Sequence, residues 1–266
     1  MSIHSNFIYT PLSDILEDAA NATQCIGQSI DVYPLCDYIM QSIFMKMTGA
    51  QEQKMKCICW ELATVDFEIR RDLYSDWSLG ECSSLSDKNK ILGILIKAIL
   101  KINNDFDAKS AINRHRILVE SKEIINRFYK VSSIKSFGAR EFDVFMALFD
   151  EIEDECIYHI DNGSSIFKKC ANCSHRTDAD KPLSCSIKKN LDHIYSRLYI
   201  HRNRCAHNLM SYQQNLPSLK SLSSADYIYE NYYIRFALLI IIDLIITELY
   251  RIFEREYQAS VPQYNG

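Results

Sequence analysis

An all-α fold is predicted by three observations. Only 7 Gly and 5 Pro occur in 266 residues, and apolar residues recur at spacings of three and four almost throughout, so long helices with short connections are expected. The strongest apolar run, residues 236–246, is continuous enough to be buried on several sides, as the centre of a helical bundle must be. We expect about eight helices in a single unit, with a core over residues 134–258 and a helical extension, residues 1–133, packed on it.

The elements follow in order. A first helix begins after Pro11, with Ser13-Asp14 near its start. A second follows Pro34 through Ile39, Ile43 and Met47 and is expected to stop at Gly49. Residues 52–76 carry Met55, Ile58, Cys59, Leu62, Val65, Ile69 and Leu73 as a long stripe, with Asp66 awkwardly placed upon it. Ser86-Asp87 is expected to cap a helix whose body is residues 91–102. Residues 107–130 form the next, and 132–138 break it. A helix over 139–160 places Phe142, Phe145, Phe149, Ile152 and Cys156 on one side and a solvated acidic face on the other. Residues 162–182 are a polar insertion. Helices over 183–209 and 225–257 complete the chain, joined by a loop at 217–224.

Composition bounds the function. A net charge of −4 and a pI near 6.0 exclude a protein that coats nucleic acid through its overall field, leaving at most a local basic strip. Ten Cys without a charged and apolar leader in residues 1–11 lead us to expect a reducing cytoplasm with free thiols. The apolar run at 236–246 contains Asp243 and falls short of the ~20 residues a spanning helix needs, so no membrane partner is expected.

The densest grouping of polar side chains in a helical segment is Ile200-His201-Arg202-Asn203-Arg204-Cys205-Ala206-His207-Asn208. At about 100° per residue, Leu191, Ile194, Leu198, Arg202, Cys205 and Leu209 share an apolar seam. Tyr199, Asn203 and His207 lie on a neighbouring face, and His193, Arg197, His201, Arg204 and Asn208 on a basic third. Arg202 borders the seam, so a carboxylate partner is expected, with Asp66 and Asp243 the candidates because both lie within apolar helices.

Arg202-Asn203, three residues and then His207 resembles the RNxxxH form of the Rx4–6H motif of the HEPN superfamily, in the version found in bacterial abortive-infection proteins. The resemblance covers six to eight residues. It implies a helical bundle that homodimerises around two copies of the motif, and metal-independent cleavage of RNA with no cofactor required for catalysis. It also implies a toxin or defence effector with an antitoxin or defence-system partner. Toxins of this family that are silenced by nucleotidylation carry Tyr two residues after the His, where this chain has Leu209; Tyr212 is out of register.

The residue types fit that chemistry independently. An imidazole with an unperturbed pKa near 6.5 exists in both forms at neutral pH, so His207 suits proton transfer with a ribose 2′-OH or a leaving 5′-oxygen. Arg202 offers a planar fork of donors to a phosphate gaining charge, and Asn203 a neutral hydrogen-bonding partner. Lys188, Lys189, Arg197 and Arg204 are read as an RNA footprint, or as a solvated face. Tyr199, with Tyr195 and Tyr212, offers rings for unpaired bases, or for core packing.

Cys170-x2-Cys173-x-His175 with Cys185 ten residues beyond is a candidate structural zinc site, or a set of ordinary loop thiols. Two other classes remain open: an inactive HEPN-like regulator that binds a nucleotide or protein, and a zinc-stabilised helical adaptor.

Overall fold

The computed structural model describes residues 3–27, 29–75, 82–160, 163–169, 190–207 and 225–260. Among these are nine α-helices and one two-stranded hairpin. In chain order the helices are α1 (Ile3–Tyr9), α2 (Ser13–Ala22), α3 (Tyr33–Val65), α4 (Phe67–Ser75), α5 (Leu85–Ile102), α6 (Arg114–Val131), α7 (Ala139–Glu151), α8 (Leu191–His207) and α9 (Tyr232–Ser260). The multi-helix, all-α expectation holds.

Helix α9 is the hub. Every residue from Tyr233 to Asp243 is buried, because α3, α5, α6, α7 and α8 all pack against it. No described helix is long and apolar enough to cross a membrane. The sidedness of the apolar run instead comes from helices on several faces.

Helix α3 departs from expectation. It runs 33 residues without stopping at Gly49. Ile43, Phe44 and Met47 before the glycine and Met55, Ile58 and Leu62 after it are all buried, so one packed stripe continues across it. Tertiary burial outweighs a helix cost of about 1 kcal/mol at one glycine. The break comes instead at Asp66, whose extended backbone ends α3 and whose Oδ1 accepts from the Ile69 amide at 2.9 Å to open α4. Its carboxylate therefore lies off the stripe, where Lys101 reaches it at 2.9 Å.

Other boundaries shift for local reasons. Ser84, not Ser86, caps α5, accepting from the Asp87 amide at 3.1 Å. Asn113 does the same for α6 by accepting from Arg116 at 2.9 Å, so that helix starts later than residue 107. Asn231 accepts from the Ile234 amide at 3.1 Å where α9 begins.

The helix expected over 139–160 ends at Glu151, and the chain turns into strands β1 (Ile157–Ile160) and β2 (Ser164–Phe167). They pair antiparallel with Ile157 opposite Phe167 and Ile160 opposite Ser164. The hairpin docks on α5, where Asn89 Oδ1 accepts from the Ile166 amide at 2.9 Å. Gly163, at φ +140°, supplies the backbone conformation the turn needs.

Two buried polar ties join the first half of the chain to α9. Lys54 Nζ lies 2.7 Å from Asp243 Oδ1, and Asp243 Oδ2 accepts from the Leu12 amide at 3.2 Å. Gln51 donates to the Leu239 carbonyl at 2.8 Å. Burial raises the Asp243 carboxyl and Lys54 opposes that rise.

Candidate functional site

Helix α8 carries the motif in its last two turns. Leu191, Ile194, Leu198 and Cys205 are buried, as the apolar seam requires. The expected basic face is also largely covered. His193 is buried. Arg197 is ion-paired to Glu230. His201 packs on Phe44 and Tyr232, with ring centroids 5.4 and 5.7 Å away. The physical reason is that α3, α5 and α9 all contact α8, enclosing more of its circumference than one seam.

Arg202 meets neither Asp66 nor Asp243, whose charges are met by Lys101 and Lys54. Its partner is Glu52 of α3, with Oε1 2.9 Å and Oε2 3.0 Å from Nη2. Both side chains are mostly buried, at 17% and 12% exposure. Arg202 Nη1 donates to Asn203 Oδ1 at 3.2 Å, while Arg202 Nε is a buried donor without a hydrogen-bond partner among the described residues. The guanidinium is thus fixed from two sides, a requirement for orienting a fork of donors.

Lys88 of α5 is the neighbour that sequence reasoning missed. It is 2% exposed and its Nζ donates to the Cys82 carbonyl at 2.9 Å. Burial lowers its pKa to about 8, with Glu52 acting the other way and Arg202 adding to the depression. Its position in the sequence, one helical turn into α5, gives no sign of burial, since lysine there ordinarily reaches solvent.

His201 cannot serve as an acid or base at neutral pH. Burial, with Arg235 and Arg204 nearby, depresses its pKa to about 3. Its Nε2 lies 3.4 Å from the Tyr232 hydroxyl and 3.5 Å from Cys205 Sγ, and burial raises that thiol. This pair is neutral and structural. Only the backbone of His207 is among the described features, as the final residue of α8.

Of the expected RNA contacts, Arg204 is partly exposed without an ion pair among the described residues, and Tyr199 is half-buried against the core. Tyr195 is a core residue, 2% exposed, donating to the Ser83 carbonyl at 3.2 Å. Lys188, Lys189 and Tyr212, together with Cys170, Cys173, His175 and Cys185, lie outside the described residues.

No protein-family model matches the chain, and no curated protein or solved structure shows significant similarity to it.

Proposed function

We propose that this chain is a metal-independent endoribonuclease of the HEPN type, acting in the cytoplasm as a toxin or defence effector. The observation that carries the reading is the Glu52 clamp. It holds Arg202 rigid beside Asn203 in the same two helical turns that end at His207. In the proposed reaction His207 removes the ribose 2′-OH proton, and the 2′-oxygen attacks phosphorus. The P–O5′ bond breaks to leave a 2′,3′-cyclic phosphate, and the 5′-oxygen takes up a proton. Arg202 and Asn203 steady the phosphate charge as it grows. DNA, lacking the 2′-OH, is not a substrate.

A homodimer supports this chemistry, since a second His207 across a two-fold axis supplies acid and base together. Lys188, Lys189, Arg204 and Tyr199 are proposed RNA contacts. Arg197 is the weakest member of that set because Glu230 already holds it. The Cys170, Cys173, His175 and Cys185 set is proposed as structural zinc only, outside the reaction.

The depth of the Arg202–Glu52 pair favours a second reading. A guanidinium this covered also suits a non-catalytic HEPN-like regulator, in which the pair simply joins α3 to α8. One experiment separates the two: purified protein is incubated with total RNA in EDTA beside a His207→Ala control and its thermal melt. Cleavage leaving cyclic or 3′-phosphate ends, lost in a well-folded variant, supports the nuclease. Products with only 3′-OH ends, or undiminished activity in the variant, remove it.

A further inference from the structure

A cavity of 340 Å³ opens where the first turns of α3, the start of α7 and the segment leading into α9 come together. Its size is that of a small-molecule site, which runs from roughly 300 to 1,000 Å³. Tyr33, Phe137, Tyr227, Tyr232 and Tyr233 give it aromatic walls. Two carboxylates lining it, Asp37 and Glu141, make no ion pair or hydrogen bond among the described residues. The third, Glu230, is occupied by Arg197 and lies 3.9 Å from Arg235.

A second feature of the wall is a phenol. Tyr233 is 2% exposed and lines the cavity, and no described residue hydrogen-bonds its hydroxyl, which leaves that group open to whatever fills the cavity. Its placement depends on Gly138, where an added Cβ would sit 2.5 Å from that hydroxyl. The backbone is bare at the one point that lets the ring reach the cavity.

We propose that this cavity binds a small organic ammonium ion with an apolar body. The ammonium is drawn by the Asp37 and Glu141 carboxylates, its charge lies against aromatic faces that attract cations, and its body fills the space between the rings. Although Asp37 is exposed as a residue, burial pushes its carboxyl upward and Arg235 draws it back, so the group is shielded enough to gain from a partner. Among the described residues Arg140 is the one cation lining the cavity, and it is exposed and screened by solvent; Arg235 lies behind the wall, over the Tyr232 ring at 5.3 Å and 3.9 Å from Glu230. This site does not depend on the nuclease reading.

The test is calorimetric titration of the full chain with three probes of one shape: phenethylammonium, phenethyl alcohol and phenylacetate. Phenethylammonium is expected to bind and raise the melting temperature, the alcohol at least tenfold more weakly, and phenylacetate not at all. Asp37→Asn and Glu141→Gln are each expected to weaken the ammonium at least tenfold. Circular dichroism melts of the free proteins establish which variants are folded, and either folded variant suffices. Equal or tighter binding of phenylacetate, unchanged affinity in a folded variant, or no binding of the ammonium at millimolar concentration would overturn the proposal.

Discussion

Glu52 and Arg202, 150 residues apart in the chain, meet with both carboxylate oxygens on one guanidinium nitrogen. Removing either partner strands a mostly buried charge, so Glu52→Ala should lower stability by about 2–4 kcal/mol in urea unfolding. If the clamp positions a working arginine, Glu52→Asp should partly restore stability while kcat for RNA stays low, because a shorter carboxylate re-aims the fork. A variant with wild-type kcat and wild-type stability would contradict that role.

Lys88 sets a pH signature on the alkaline side. Its native pKa of about 8 lies below the ordinary 10.5, so between those values the unfolded chain binds more protons than the native one. Stability contributed by this group therefore rises with pH across that window. From pH 8 to 10.5, the native protein should gain on the order of 3 kcal/mol relative to Lys88→Met, the product of the shift and 1.36 kcal/mol per unit. Parallel denaturation curves for the two proteins would exclude it.

His201 does the same on the acid side. Its depression to about 3 means the unfolded chain takes up a proton below pH 6.5 that the native state refuses. Stability is lost as pH falls from 6.5 toward 3. His201→Phe keeps an aromatic ring beside Phe44 and Tyr232 and should flatten this part of the profile. By NMR the His201 ring should show no titration near neutrality.

Two glycines should respond oppositely to alanine. Gly49 is exposed in mid-helix with nothing within 4 Å of an added Cβ, so Gly49→Ala should stabilise by about 1 kcal/mol. Gly138→Ala drives a methyl into the Tyr233 hydroxyl and should cost about 1–3 kcal/mol. Thermal melts of the pair give both signs in one comparison.

The helical periodicity and the burial of α9 were legible in the sequence because each apolar position repeats a local rule. The ends of elements were less so. Gly49 looks like a stop until the packing on both sides of it is known, and Asp66 looks misplaced until its backbone leaves the helix. Asn162-Gly163 followed by Ser-Ser-Ile-Phe was a readable hairpin signal, masked by the helical period that runs up to Cys156. At the candidate site, the segment carrying Arg202 and Asn203 was visible as a motif, whereas Glu52 was not. With the helix cut at Gly49, its carboxylate falls in a first turn, where acidic residues are ordinary. Asp66 and Asp243 drew attention for their apolar neighbours, yet each is met by a lysine, Lys101 or Lys54, that only the tertiary fold brings near.

The Lys54–Asp243 pair decides how the chain can be cut. A fragment that starts at residue 134 keeps the motif but deletes Lys54, Gln51 and Glu52 together, leaving the Asp243 carboxylate, the Leu239 carbonyl and the Arg202 guanidinium without the groups that meet them. It also uncovers the sides of α9 that α3, α5 and α6 enclose. Expression of that segment alone should give insoluble or molten material, whereas co-expression with residues 1–133 should recover a soluble, nicked assembly. The unit that holds the motif in place is then the whole helical body, and any effect of such a truncation reports on lost architecture before it can report on lost chemistry.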